Sequence, residues 1–383
     1  MIDCISNNVN KIEISGIRKF YNKVALVPEA ISLTLGQPDF KVPDRIKKAM
    51  IDAINEDKTE YTSNIGLFQL REHIAQYLLS FKIKYSPEEI CLTIGGSEAL
   101  LAVFTALVNA GDKVLIPNVA YPAYDSCIKL LGGNVVNYPL NQDFTMDISS
   151  LENIIDNEKP KIMVLSYPSN PTGATLSKDD RDKLHSIILN KNIMVVTDEI
   201  YSSLCFEEEY YSISQFSDIR DKVIFVGGFS KMFSMTGLRL GYLCANKEIM
   251  KSVLKVHQYA VSCAPSISQY GALEGLKNCL DEVEKMRCEF QKRRDYVYNR
   301  LKLIGFDVVM PKGAFYIFPS VKKFGFSSEE FCERLLNDAK VAIVPGSAFG
   351  PGGEGFARIS YSYSMEQLKD ALDRIEKFIN DKL

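Results

Sequence analysis

The chain has 383 residues, 46% of them hydrophobic and 24% charged, which provides a large buried core and excludes a disordered or collagen-like polymer. Its 45 basic and 48 acidic residues leave a net charge of -3, so the molecule as a whole lacks the positive field that dominates nucleic-acid binding. Only three histidines (His73, His185, His257), far apart in sequence, and no tryptophan argue against a His-rich metal site or an indole-based site, and no metal is expected.

In chain order, the opening stretch MIDCISNNVNKIEISGIRKF has no apolar segment of the secretory kind, and no run of 18 apolar residues follows. The nine cysteines are odd in number, scattered and never spaced C-x-x-C, which reads as a reducing compartment. A cytoplasmic protein without a membrane span is expected.

From about residue 90 to 245, short apolar runs alternate with helical patterns, the rhythm of β-α-β units around a largely parallel sheet. The predicted strands are ICLTI (90–94), KVLIP (113–117), NVVNY (134–138), KIMVLS (161–166), NIMVVT (192–197), KVIFV (222–226) and LGYLC (240–244). Between the fourth and fifth, Ser177 and Asp180 read as a capping box for a crossover helix whose apolar face is Leu184, Ile187 and Ile188. After residue 280, Val283, Met286, Phe290, Val297, Leu301 and Ile304 form one helical stripe, and the run Lys292, Arg293, Arg294 within it reads as a solvated face. Strand-like runs FDVVM (306–310), AFYIF (314–318), VAIVP (341–345) and ARISYS (357–362), then a helix from Ser364, make a second, smaller α+β domain.

In an open parallel sheet the ligand crevice lies at the carboxyl ends of the strands. After ICLTI come Gly95, Gly96, Ser97 and Glu98, opening a helix; this is either a plain turn or an anion-binding helix N-terminus. YPSNPTG (167–173) is either a stiff surface turn or a rigid loop presenting the Asn170 amide. Asp198 ends an all-apolar strand, so it needs a cationic partner or serves as a helix N-cap. Lys231 and Arg239 lie in the Gly- and Ser-rich loop GGFSKMFSMTGLRLGY, where lysine is a solvated loop residue or a nucleophile able to form a Schiff base with a carbonyl. An aldehyde carrying a phosphate and a cationic ring nitrogen would use all these features, a description that fits pyridoxal phosphate.

LTLGQPDF (33–40), YTSNIGLFQLR (61–71), IGGSEAL (94–100), AYPAY (120–124), YPSNPTG, TDEIY (197–201), the Lys231 loop, GAFYIF (313–318) and ARISYS occur in an order that resembles the class I aminotransferases. These are fold type I pyridoxal-phosphate enzymes that include aspartate aminotransferase. EISGIRKF, LKVHQY and VSCAPSISQ are closer still to the bacterial aminotransferase A branch, whose members are implicated in aromatic or N-acetyl-diaminopimelate transamination. The resemblance implies an α/β fold: a large domain over 41–285 with a mostly parallel seven-stranded sheet sandwiched by helices, and a small α+β domain from 1–40 and 286–383.

Carried over by resemblance, Lys231 holds the cofactor as a Schiff base and moves the substrate proton, while Asp198 pairs with the pyridine nitrogen. Asn170 and Tyr201 bond the cofactor's phenolic oxygen, and Tyr121 stacks on the ring. Gly96, Ser97, the Glu98 amide, Ser230 and Arg239 bind the phosphate, with Tyr61 reaching in from a neighbouring subunit. Arg358 clamps the substrate α-carboxylate, helped by the Gly36 backbone. Two departures stand out. Gly228 replaces the Ser or Thr that many members carry three residues before the lysine, and no arginine lies between Arg239 and Arg287 to read a second carboxylate. Ile17 and Leu35 therefore suggest an apolar or aromatic side chain, although Arg18 could approach the same pocket. The expected activity is transfer of an amino group from an L-amino acid to a 2-oxo acid such as 2-oxoglutarate, by a ping-pong mechanism in a homodimer with interfacial active sites. A β-lyase on the same cofactor and a non-catalytic cofactor-binding regulator are the alternatives.

Overall fold

The computed structural model describes residues 4–382, so residues 1–3 and 383 of the expected smaller domain lie outside the described residues. In chain order the strands are β1 (Ile31–Ser32), β2 (Ile90–Thr93), β3 (Lys113–Pro117), β4 (Asn134–Tyr138), β5 (Ile162–Ser166) and β6 (Met194–Asp198). They continue with β7 (Val223–Gly228), β8 (Gly241–Cys244), β9 (Tyr316–Ile317), β10 (Val341–Ala342), β11 (Val344–Pro345) and β12 (Ala357–Ser360).

The central sheet has seven strands in the order β2-β8-β7-β6-β5-β3-β4. All its pairings are parallel except those of β8, which runs antiparallel to both β7 and β2. The strand runs read from the sequence coincide with β2 to β8 apart from one or two residues at their ends. Successive side chains in a strand point to opposite faces, and here both faces are apolar. Val114, Ile116, Val164, Val196, Ile224 and Val226 pack with Val103 and Phe104 of the helix Gly95–Leu107 and with Tyr124 and Ile128. Leu115, Met163, Leu165, Val195 and Val223 meet Leu151 and the crossover stripe Leu184, Ile187 and Ile188 on the other side. That crossover helix, Lys178–Asn190, begins where Ser177 Oγ accepts the Asp180 amide at 3.0 Å. The return bond of the expected capping box is absent among the described residues, so Ser177 acts as a simple N-cap.

The remaining strands form two small sheets. β1 pairs in parallel with β10, Ile31 opposite Val341, and β11-β12-β9 is antiparallel. One apolar cluster joins Phe20, Val24 and Leu33 to Phe290, Phe315, Phe331, Leu335, Leu368 and Leu372. FDVVM does not become a strand; only Asp307 bridges, to Ser320. Phe306 instead packs edge-on against Phe324 and Phe331, at 5.1 and 6.2 Å, so side-chain burial satisfies the alternating pattern without a ladder partner.

The long helix runs Leu280–Ile304, with Asp281 and Glu282 in its first turn and Gly305 ending it at φ 98°. Within it the charged run departs from the expected solvated face. Arg293 lies three residues after Phe290 and four before Val297, on the buried stripe, and its side chain is 7% exposed. It is neutralised by Asp39 at 2.7 Å and Glu289 at 3.1 Å. Arg294 turns to Asp295 at 2.7 Å and the Pro311 carbonyl at 3.2 Å, leaving Lys292 as the exposed member of the three.

Candidate active site

β2, β5, β6 and β7 end at the same edge of the sheet, and each hands its next residues to one cavity of about 400 Å³. Gly96 and Ser97 follow β2, and Tyr121 follows β3. Asn170 follows β5, Asp198 closes β6, and Tyr201 stands three residues on. Ser230 and Lys231 belong to the single helical turn Phe229–Met232 after β7, and Arg239 leads into β8. The opposite wall comes from Ile17, Arg18 and Tyr21 of the helix Gly16–Val24, from Leu35 and Gly36 after β1, from Tyr316 of β9 and from Arg358 of β12.

Asp198 is 7% exposed and takes the Tyr124 hydroxyl at 2.7 Å and the Ile200 amide at 3.2 Å. Burial pushes its carboxyl above the usual carboxylate range, against these two bonds and the field of Lys231. The sequence leaves a cationic partner or an N-cap open for this residue. The amide bond is a local cap of a turn, and among the described residues no side-chain cation lies within ion-pair reach. Lys231 Nζ donates to the Gly36 carbonyl. Burial, then the nearby Arg358 and Arg239 charges, bring its ammonium down from 10.5 to about 8.

Arg358 is 2% exposed and held in one pose, donating to Asn170 Oδ1 at 2.8 Å and to the Thr34 carbonyl at 2.6 Å. Its Nε has no partner among the described residues, and the guanidinium lies 4.3 Å from the Tyr316 ring centroid and 4.9 Å from that of Phe349. The Tyr201 and Tyr316 hydroxyls are 2.8 Å apart. Tyr121 meets Tyr124 edge-on at 5.7 Å. Arg239 donates to the Thr236 and Ile94 carbonyls at 2.9 and 3.4 Å, which sets its guanidinium at the N-terminus of the helix Gly95–Leu107. Space is tight at Gly228: a Cβ there would come within 2.6 Å of the tip of the Ile200 side chain, which would have to turn aside, and 3.2 Å of the Gly241 backbone in β8.

Thus Lys231, Asp198, Tyr201, Gly96, Ser97, Tyr121, Asn170, Ser230, Arg239, Arg358, Gly36 and Ile17 meet in one cavity. Two of the residues singled out from the sequence do not line it. The Glu98 side chain turns back to the Ile94 amide at 3.1 Å and faces Nδ1 of the buried His257 at 3.2 Å. Tyr61 is 87% exposed, away from the cavity of its own chain. Sequence reading missed Tyr124 and Tyr316, although AYPAY and GAFYIF contain them, and missed the Thr34 carbonyl.

The family model for aminotransferase class I and II matches residues 28–375, and the chain belongs to that family. It is 45% identical over 381 residues to the probable N-acetyl-LL-diaminopimelate aminotransferase of Bacillus subtilis (strain 168), covering 99% of this chain and 96% of that one. An aspartate aminotransferase of Pyrococcus abyssi is 38% identical, with 99% of each chain covered. The crystal structure of an aromatic aminotransferase from Pyrococcus horikoshii OT3 superposes with a TM-score of 0.90 at 36% identity, over 95% of this chain and 99% of that one. The protein is a pyridoxal-phosphate-dependent aminotransferase with the aspartate aminotransferase fold.

Proposed function

We propose that this transaminase takes the amine of an L-amino acid with an aromatic or other apolar side chain, or of an N-acetyl-diaminopimelate-like donor, and passes it to a 2-oxo acid such as 2-oxoglutarate. The carrying observation is a cavity that holds a buried carboxylate with no ion-pair partner among the described residues, a lysine brought to about 8 and a buried arginine whose Nε has no partner among them. Pyridoxal phosphate fits this set, because its ring nitrogen, when protonated, would be the ion-pair partner that Asp198 lacks among the described residues. When bound, it supplies a heterocycle that stores the electron pair released at the substrate α-carbon.

Lys231 tethers the cofactor and then carries the proton away from the α-carbon, a role suited to an amine that titrates near neutrality. Asn170 and Tyr201 hold the phenolic oxygen, and Tyr121 covers the ring. Arg239, Ser97, Ser230 and the amides of Gly96 and Glu98 take the phosphate, using the positive end of the helix Gly95–Leu107. Arg358 grips the α-carboxylate beside Gly36. Ile17, Tyr21 and Leu35 give the side-chain wall its apolar character, and Arg18 on that wall suits a second carboxylate on an acceptor. The names of the relatives, spanning N-acetyl-diaminopimelate, aspartate and aromatic aminotransferases, support this mixed pocket. The active enzyme is a cytoplasmic homodimer in which Tyr61 completes the neighbouring site, and each subunit divides into a large domain over 41–285 and a small one from 1–40 and 286–383.

The test is a half-reaction. An amino donor added without acceptor is expected to abolish the visible absorption of the lysine-bound cofactor, and a 2-oxo acid to restore it. A panel of aromatic, aliphatic, acidic and N-acetyl-diaminopimelate donors ranks the substrates; a band that survives every donor refutes the proposal.

A further inference from the structure

Tyr201, Arg358 and Gly36 meet at one side chain, Tyr316. β9 pairs antiparallel with β12, Ser360 opposite Tyr316, so Arg358, two residues before Ser360, shares its face on the diagonal. Arg358 thereby lies 4.3 Å from the Tyr316 ring centroid, within cation–π distance, and the Tyr316 hydroxyl sits 2.8 Å from that of Tyr201. The same hydroxyl occupies the space that a Cβ at Gly36 would need. Tyr316 itself is 1% exposed.

We infer that Tyr316 is a positioning residue that couples Arg358 to Tyr201, its ring carrying the guanidinium and its hydroxyl orienting the Tyr201 proton. The inference rests on the cofactor-side role proposed for Tyr201. A phenol has one proton. If Tyr201 donates to the cofactor's phenolic oxygen, its own oxygen can only accept, and Tyr316 must be the donor. The order is then fixed as Tyr316 to Tyr201 to the cofactor oxygen, and each bond in such a chain strengthens the next. Burial raises the titration of the Tyr316 hydroxyl overall, and the Arg358 charge works against that rise, keeping the hydroxyl a better donor than burial alone would leave it. The other groups acting on the pair are Arg358, directly, with Asp198 and Lys231 beside Tyr201, and Tyr121 and Tyr363 beside Tyr316. All remain when Tyr316 becomes phenylalanine.

The test is a pH titration of the visible band of the holoenzyme. Tyr316→Phe keeps the ring and removes the hydroxyl, so the midpoint is expected to rise by about 0.3 to 1 pH unit, the worth of one neutral hydrogen bond. The KM for the amino donor is expected to stay within about twofold, because the ring still carries Arg358. Tyr316→Leu removes both and is expected to add a rise in KM of about tenfold. In a Tyr201→Phe background, Tyr316→Phe is expected to shift nothing further, since it acts through Tyr201. Thermal melts show which variants are folded. A folded Tyr316→Phe holoenzyme with the wild-type midpoint overturns the coupling, as does an equal shift in the Tyr201→Phe background. A wild-type midpoint in Tyr201→Phe itself overturns the role of Tyr201, and the coupling with it.

Discussion

At Lys231 the balance of burial and neighbouring charge decides when the amine is reactive. Only the neutral amine attacks an aldehyde, and burial together with Arg358 and Arg239 lowers its titration to about 8. Capture of pyridoxal phosphate by the cofactor-stripped protein is therefore expected to speed up with rising pH around a midpoint near 8, not near the ordinary lysine value of 10.5. Stopped-flow absorbance across pH checks this, and a rate still climbing steeply above pH 9.5 would contradict it. Lys231, Asp198 and Asn170 were legible in the sequence because each follows or closes a strand, where an unusual residue stands out against an apolar run. Tyr124 and Tyr316 were not. Their meaning comes from hydroxyl bonds to partners 74 and 115 residues away, and neighbouring sequence carries no trace of such a contact.

The central strands were readable because both faces of the sheet are apolar and helices cover each. In the smaller sheets β9, β10 and β11 have two residues each, too short for periodicity to separate them from packed coil, and FDVVM shows the ambiguity. The helix Leu280–Ile304 adds a second lesson, because a run of three basic residues points in three directions on a helix. Arg293 is buried against two carboxylates whereas Lys292 is solvated. Arg293→Ala is expected to cost about 2 to 3 kcal/mol, because it strands Asp39 and Glu289 and empties part of the stripe. Lys292→Ala is expected to stay within about 0.5 kcal/mol of the native chain. Urea melts of the two holoenzyme variants side by side separate these outcomes, and equal costs would refute the burial argument.

At the scale of the whole molecule, Tyr61 is 87% exposed and outside the cavity of its own chain, and its proposed place in the site of a second copy can be tested. Lys231→Ala subunits, inactive alone, and Tyr61→Ala subunits, weakened by the loss of one phosphate contact, are expected on dissociation and reassociation together to gain activity above the Tyr61→Ala share, since half the proposed dimers then carry one intact site, about a quarter of the wild-type total. No gain over that share, with hybrid dimers verified by mass, would place Tyr61 in its own subunit's chemistry or outside it. No helix among the described residues is long and apolar enough to cross a membrane. The pairing of β1 with β10, and the delivery of Tyr316 and Arg358 from β9 and β12, also bear on how the catalyst is born. A ribosome has already joined Gly96 through Arg239 into the chain by the time β8 ends at Cys244, while Arg358, the arginine proposed to grip substrate, is still unmade. On the proposed roles, the nascent chain acquires the means to hold its coenzyme long before the means to hold an amino acid, so a stalled translation product is no stray catalyst.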